Sequence, residues 1–133
     1  MARKSRKRTG DDRVSEYVDS PMMTQRLQYG RELTARIQGN YGTYRTRVLV
    51  GRASDGRCTC PSEVRPCKHD LALEATWQSH PDTFFELEEV LEELTDQSRA
   101  QLIEMIAQMA LAAPESLVAC GVEEFAFDDE IID

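Results

Sequence analysis

The chain has 133 residues, 30% of them charged and 41% hydrophobic, and its formal net charge is −8. This length provides for one domain with a modest core, and the sequence contains no run of about 18 apolar residues that would cross a membrane. Polar residues rather than an apolar stretch follow the basic start. We therefore expect no secretory signal and a cytoplasmic location, or a nuclear one in a eukaryotic host.

The charges are divided unevenly along the chain. Residues 1–68 contain fifteen Lys/Arg and seven Asp/Glu, a balance of +8, whereas residues 69–133 contain one Arg and seventeen Asp/Glu, a balance of −16. An asymmetry of this kind indicates a charged partner more than a particular fold. The first half is suited to contact nucleic acid, and the second half would be repelled by it.

Residues 1–12 form a polybasic start with almost nothing apolar to bury, and we expect this stretch to be disordered. Its cations are candidate contacts for nucleic acid or another partner, while a nuclear address and a merely solubilising terminus are the alternatives. These candidates are Arg3, Lys4, Arg6, Lys7 and Arg8.

The next part of the chain alternates apolar and polar residues with a period of two, which predicts an antiparallel meander of three or four strands. Residues 13–29 carry the weakest pattern. The predicted elements are a short strand near 24–28, a strand at 33–38, a turn at 39–42, a strand at 44–50, a turn at 54–56 and a strand at 57–60.

Arg45 and Arg47 share one face of the strand at 44–50 and are further candidate contacts for nucleic acid or a partner. Four more arginines are expected to lie nearby: Arg31, Arg36, Arg52 and Arg57. Tyr41 or Tyr44 would then be placed to stack on a base. The alternative is a solvated sheet face whose charges prevent aggregation and pair with the acidic half of the chain.

Three of the four cysteines and one of the two histidines fall within residues 58–69. Cys58, Cys60, Cys67 and His69 supply three soft thiolates and an imidazole, a complete tetrahedral ligand set for one structural Zn²⁺. A disulfide and the chance clustering of a core histidine with buried thiols are the competing interpretations. Four clustered soft ligands of this type and number, without a secretory signal, favour the metal.

The ligand spacing predicts how the site is built. Cys58 and Cys60 are two residues apart, which on an extended strand points both sulfurs to one face. Cys67 and His69 have the same spacing, so they must lie where a helix begins, with Pro66 just before it. The helix is predicted to run from residue 70 to about 78 and to pack through Leu71, Ala75 and Trp77. Lys68 is expected to point outward, available to a phosphate or an acidic partner.

The segments 58–61 (Cys-Thr-Cys-Pro) and 66–69 (Pro-Cys-Lys-His) resemble the SWIM zinc finger family. The likeness extends upstream to residues 34–39 and 44–50, and more loosely downstream to 94–122, which is similar to the helical tail of small stand-alone members. The resemblance implies a structural zinc and a role in binding DNA or other proteins. Family members also occur in transposases, helicase-like ATPases and a ubiquitin ligase, so the fold fixes no single function.

The C-terminal part has helical periodicity. Apolar residues at helical spacing between 84 and 94 and between 102 and 110 predict two helices, the second capped at 96–98. Pro114 opens a short third helix that Gly121 ends. Cys120 is expected to be a buried free thiol.

We therefore expect an α+β fold in which the meander leads into a zinc-clamped strand-loop-helix unit and then into a helical hairpin. The expected organisation is a basic tail at 1–12, meander and finger at 13–79, a helical part at 80–122 packed on it, and an acidic tail at 123–133. A metal with four protein ligands has no place for substrate, so an enzyme is not expected. Two functions remain open: a nucleic-acid-binding accessory module, with DNA preferred, or a protein-interaction module in a larger assembly. Neither a membrane nor a small-molecule substrate is expected as a partner.

Overall fold

The computed structural model describes the backbone of residues 10–122 and the side chains of residues 13–122. The helices and strands of this part are α1 Gly10–Tyr17, β1 Met23–Tyr29, β2 Glu32–Gln38, β3 Thr43–Leu49, β4 Arg52–Cys58, α2 Lys68–Ser79, β5 Phe85–Glu86, α3 Leu87–Leu94 and α4 Arg99–Ala112. Single 3₁₀ segments span Pro81–Thr83 and Pro114–Cys120. The chain divides into two compact units, residues 1–90 and 91–133.

The first unit contains a five-stranded sheet with the strand order β4-β3-β2-β1-β5. The first four strands are antiparallel neighbours, as a meander requires, and the predicted α+β fold is confirmed. The sheet has one strand more than the expected three or four. This additional strand, β5, has two residues, runs parallel to β1 and pairs Phe85 with Leu27.

One face of the sheet is buried against α2. Leu33, Ala35 and Ile37 of β2 are fully buried, and Val48 of β3 lies beside them, so the alternation in the sequence predicted the correct inner face. The polar residues between them point to the exposed face. The sheet therefore has one face for the core and one for solvent or a partner.

The predicted packing side of α2 is wrong in part. Leu71 is 39% exposed, whereas Ala72, Leu73 and Thr76 are fully buried. The reason is that His69 points inward at the start of the helix, and the residues three, four and seven positions later share its face. Trp77 is only partly buried, at the margin of the core.

The turn predicted at 54–56 is also wrong, because these residues belong to β4. The chain turns instead between β3 and β4, where Gly51 has φ of +81°. Gly56 has a different role. A Cβ added there would lie 2.6 Å from Cγ of Asp70, so glycine lets the strand approach the helix closely.

The helix α1 was not predicted. It begins at Gly10, inside the stretch that we expected to be disordered, and its Tyr17 is buried in the core with Val14 and Val18 packed beside it. The predicted cationic contacts between Arg3 and Arg8 lie outside the described residues.

The second unit contains α4 and the 3₁₀ segment Pro114–Cys120. Ser98 caps α4, and its hydroxyl accepts a hydrogen bond from the backbone N–H of Gln101 at 3.1 Å, as the sequence predicted. Gly121 ends the 3₁₀ segment in the left-handed conformation, also as predicted. Cys120 is a free cysteine but is exposed, so the expectation that it is buried is wrong.

No helix in the described part of the chain is both long enough and apolar enough to cross a membrane. The packing of residues 80–122 on the finger remains a prediction, and the acidic tail 123–133 lies outside the described residues.

Candidate metal centre

Cys58, Cys60, Cys67 and His69 come together in one buried cluster, in which one ligand atom from each residue lies within 4.8 Å of the others. Cys58 ends β4, and Cys60 lies two residues beyond the strand. Cys67 is the N-cap of α2, and His69 lies in its first turn. The strand end and the helix start thus bring both ligand pairs together, and the cluster can hold one metal ion.

The helix start favours a thiolate at Cys67. A hydrogen bond from the Cys58 thiol lowers the pKa of Cys67 most, and the His69 ring and the backbone N–H groups of Asp70 and His69 lower it further. The pKa of Cys58 is raised by the same contact with Cys67 and by burial. Binding of a metal cation would displace the proton from these buried thiols.

The geometry around His69 supports metal binding. Its Nδ1 lies 3.5 Å from Sγ of Cys58. Ligands at about 2.3 Å for sulfur and about 2.0 Å for nitrogen around a tetrahedral zinc are separated by roughly 3.5 Å, so this distance fits one edge of the tetrahedron. The other ring nitrogen, Nε2, is buried and has no hydrogen-bond partner among the described residues. Tyr17 and Tyr44 hold the ring, with centroids 5.0 and 5.5 Å away.

The carboxylate of Asp70 connects the cluster to the sheet. It is fully buried and accepts a hydrogen bond from Oγ1 of Thr46 at 2.6 Å, and a longer one from the backbone N–H of Cys67 at 3.5 Å. Burial raises the pKa of Asp70, and the Thr46 hydroxyl opposes this shift. The sequence offered no sign that this acid faces inward.

Arg65 is a site residue that the sequence reasoning missed. Its Nη2 donates to the carbonyl oxygens of Cys58 and Cys60 at 3.0 and 3.2 Å, and its Nη1 lies 3.7 Å from Sγ of Cys60. Three thiolates and a divalent cation sum to −1, which a guanidinium at this position balances. The available signal was a lone arginine within the loop that joins the two ligand pairs.

The exposed face of the sheet carries the predicted contacts Arg45 and Arg47. Arg45 donates to Oε1 of Gln25 at 2.6 Å, and Arg47 makes two hydrogen bonds to the carboxylate of Glu32 at 2.8 and 2.9 Å. Lys68 belongs to the helix on the other face of the sheet, so it does not join them. It is half-buried, with Nζ 5.8 Å from the Tyr17 ring centroid, and not fully outward as expected.

Two further arginines extend this basic face. The strand register places Arg36 directly opposite Arg45, and Arg57 directly opposite Arg47. All four side chains are exposed. The ion pairs of the described residues include neither Arg36 nor Arg57. We refer to Arg36, Arg45, Arg47 and Arg57 as the arginine face.

A cleft of about 560 Å³ opens beside α1, and its lining includes three of the four candidate metal ligands, Cys60, Cys67 and His69. It is lined by α1, by the turn between β2 and β3, by the loop that follows Cys60 and by the first turn of α2. Its lining includes three tyrosines and two cations: Tyr17, Tyr41, Tyr44, Arg13 and Lys68.

Comparisons with family models, with curated proteins and with solved structures find no match to this chain. The ligand cluster and the surfaces around it therefore carry the functional argument.

Proposed function

We propose that the chain is a structural-zinc module of the SWIM type that binds nucleic acid, DNA in the first place, as an accessory or regulatory factor. The observation that carries this proposal is the arginine face, in which two pairs of arginines lie directly opposite each other on neighbouring strands.

Zinc is the metal that best suits the cluster. Three cysteines and one histidine are a ligand set typical of structural zinc sites, whereas magnesium and calcium prefer oxygen ligands. The four ligands come from residues 58–69, so the ion would fix the end of β4 to the start of α2. Four protein ligands complete a tetrahedron, and we therefore propose a structural role without catalysis.

The arginine face supports nucleic-acid binding through its positive charge and through the repulsion between its paired arginines in the free protein. Like charges directly opposite each other on neighbouring strands destabilise a sheet by some tenths of a kcal/mol per pair. Binding of an anionic ligand removes this repulsion, because a phosphate between two guanidinium groups accepts hydrogen bonds from both members of a pair.

The counter-charges on this face are few. Glu32 pairs with Arg47, and Asp55 pairs with Arg52 at 3.1 Å. Arg36 and Arg57 keep their charges available, and the contact of Arg45 is with a neutral amide. A phosphate backbone running across β2, β3 and β4 would meet Arg36, Arg45, Arg47 and Arg57 in turn.

The test is the salt dependence of binding by the zinc-loaded chain, measured by fluorescence anisotropy with duplex DNA. The wild type should show log affinity falling linearly with log salt, with a slope of about −0.9 per phosphate neutralised. The double variant Arg47→Gln/Arg57→Gln should bind more weakly, and its slope should be shallower by about two such steps.

The matched control is Arg99→Gln, which removes one exposed positive charge from the other unit of the chain. Its affinity and slope should equal those of the wild type. If the wild type binds neither duplex nor single-stranded DNA or RNA at low salt, the proposal is wrong.

The second candidate is a protein-interaction module, and exposed apolar side chains on α4 favour it. Ile103, Ile106 and Met109 are all exposed, Met109 by 65%. If this surface provides the function, Ile106→Glu/Met109→Glu should abolish recovery of a protein partner in affinity purification after nuclease treatment, while Arg47→Gln/Arg57→Gln should not.

A further inference from the structure

We propose that the cleft beside the metal cluster binds one unpaired nucleotide, so that the module prefers single-stranded nucleic acid, or a duplex with a frayed end, over a closed duplex. This inference rests on the proposed nucleic-acid function and assigns a second contact to it.

The cleft has room and aromatic surface for a nucleobase beside the metal ligands. Its volume of about 560 Å³ falls within the range of small-ligand pockets. Tyr17 and Tyr44 contribute rings that are held against the imidazole of His69. Tyr41 stands at the turn with 93% of its surface exposed, so this ring contributes almost nothing to the core and is free to stack on a base.

The charge of the cleft suits a phosphate. Arg13 and Lys68 line it, and none of its sixteen lining residues is acidic. Lys68 lies over the Tyr17 ring at 5.8 Å, which places a cation and an aromatic surface side by side. A nucleotide has the matching parts, a flat base and a phosphate joined by a sugar.

The cleft also lies at the end of the sheet that the arginine face approaches. Arg36 and Arg45 face each other four residues from Asn40 and Tyr41, which at about 3.3 Å per residue corresponds to roughly 13 Å. One strand of nucleic acid can therefore contact the arginine face and continue around the turn into the cleft.

A nucleotide fits the cleft better than an acidic peptide does. Peptides gain much of their affinity by adding a strand to a free sheet edge. Among the described strand residues, only Tyr44 of β3 lines the cleft, beside the turn that joins β2 and β3, and β3 is an interior strand paired on both sides. The cleft thus offers ring surfaces and cations rather than a strand edge.

The experiment compares Tyr41→Ala with the wild type, using a labelled single-stranded oligothymidylate, the same strand with abasic sites and a blunt duplex of equal length. Tyr41→Ala should weaken binding of the oligothymidylate by roughly 5- to 150-fold, the effect of losing one base stack. Binding of the abasic strand and the duplex should not change. Tyr41→Phe should keep the affinity, and Tyr29→Ala, which removes an exposed tyrosine outside the cleft, is the matched control.

The outcomes separate the inference from the function on which it rests. If the wild type binds DNA but Tyr41→Ala retains full affinity for the oligothymidylate, the cleft assignment is wrong and the arginine-face proposal stands. If an acidic peptide binds in a Tyr41-dependent manner and the oligothymidylate does not, the cleft is a peptide site. If no nucleic acid binds at low salt, both proposals are wrong. Zinc content measured on each variant verifies that the finger is intact.

Discussion

Gly56 lies so close to Asp70 that a single methyl group does not fit between them. A Cβ at Gly56 would lie 2.6 and 2.7 Å from Cγ and Oδ2 of Asp70, and 2.9 Å from Cγ1 of Val48. Because Asp70 is fully buried and hydrogen-bonded to Thr46, its carboxylate cannot move away without losing that bond. The contact sets the distance between the end of β4 and the start of α2, where the two pairs of candidate ligands lie.

The first prediction follows from this contact. Gly56→Ala should lower the free energy of unfolding by about 1–3 kcal/mol, the usual cost of an added methyl in a packed interior. It should also weaken metal retention, since Asp70 holds the first turn of α2, which contains His69, against Thr46 of the sheet. Chemical denaturation of the metal-loaded protein measures the first effect, and metal content after dialysis measures the second.

Gly51→Asn is the control for this substitution. Gly51 has a positive φ, and nothing lies within 4 Å of a Cβ built there, so asparagine meets no clash and adopts the left-handed conformation at a lower cost than most residues. A Gly56→Ala protein as stable as the wild type would show that the contact between β4 and α2 is not as tight as described.

The second prediction concerns the ligand set. Cys58→Ala, Cys60→Ala, Cys67→Ala and His69→Ala should each lose zinc and unfold the finger at least locally, because structural zinc contributes on the order of 10 kcal/mol to small domains. Elemental analysis after gel filtration and circular dichroism measure these losses.

Cys120→Ala should keep its full metal content, because Cys120 is exposed and belongs to the other compact unit. A full equivalent of zinc in the Cys67→Ala protein would contradict the assignment of the ligands.

The ligand cluster was predictable because its residues lie close together in the sequence. Cys58, Cys60, Cys67 and His69 span twelve positions, and ligand chemistry alone groups them. The strands β2 and β3 were predictable for a related reason, since the alternation of residues 33–37 is a local pattern that marks one buried face.

The sequence predicted that Arg36 and Arg57 lie near Arg45 and Arg47, but not that they pair directly, because no local pattern contains the strand register. The pairing of Arg47 with Arg57 depends on where the chain turns, and the sequence offered two glycines near that point. The segment Ser54-Asp55-Gly56 has the composition of a turn. In the structure, however, Gly56 allows β4 to lie close to Asp70 of α2. A tertiary contact thus decided between two turns that were locally equivalent.

The third prediction tests the contribution to stability of the hydrogen bonds that Arg26 of β1 makes to neighbouring segments. Arg26 is only 10% exposed and donates to the backbone oxygens of Ser20 and Met23, to Asp19 and to Thr83 at 2.8–3.1 Å. Arg26→Ala leaves these acceptors without their donor and should cost roughly 2–3 kcal/mol of unfolding free energy.

Arg52→Ala is the matched control in thermal and chemical denaturation. Its ion pair with Asp55 is exposed on both sides and should contribute at most about 1 kcal/mol. Equal losses in the two variants would show that the Arg26 network adds nothing beyond a surface ion pair.

The last prediction separates two cations that flank the metal ligands in the sequence. Arg65 holds the carbonyl oxygens of Cys58 and Cys60 and lies 3.7 Å from Sγ of Cys60, whereas Lys68 lies over Tyr17 in the cleft. Arg65→Gln should reduce zinc affinity about 10- to 100-fold, the range found for groups that orient and balance metal ligands. Lys68→Ala should leave zinc affinity unchanged and weaken nucleic-acid binding instead.

Competition with a chromophoric chelator measures zinc affinity, and anisotropy with an oligothymidylate measures binding. Arg65→Lys refines the test, since lysine keeps the positive charge but has a single nitrogen, whereas the guanidinium uses Nη2 for the two carbonyl groups and Nη1 for the approach to Sγ of Cys60. An affinity between those of the wild type and Arg65→Gln would show that charge and hydrogen bonding both contribute. If Lys68→Ala loses zinc while Arg65→Gln retains it, the roles assigned to these two residues are reversed, and Lys68 is part of the support for the metal site.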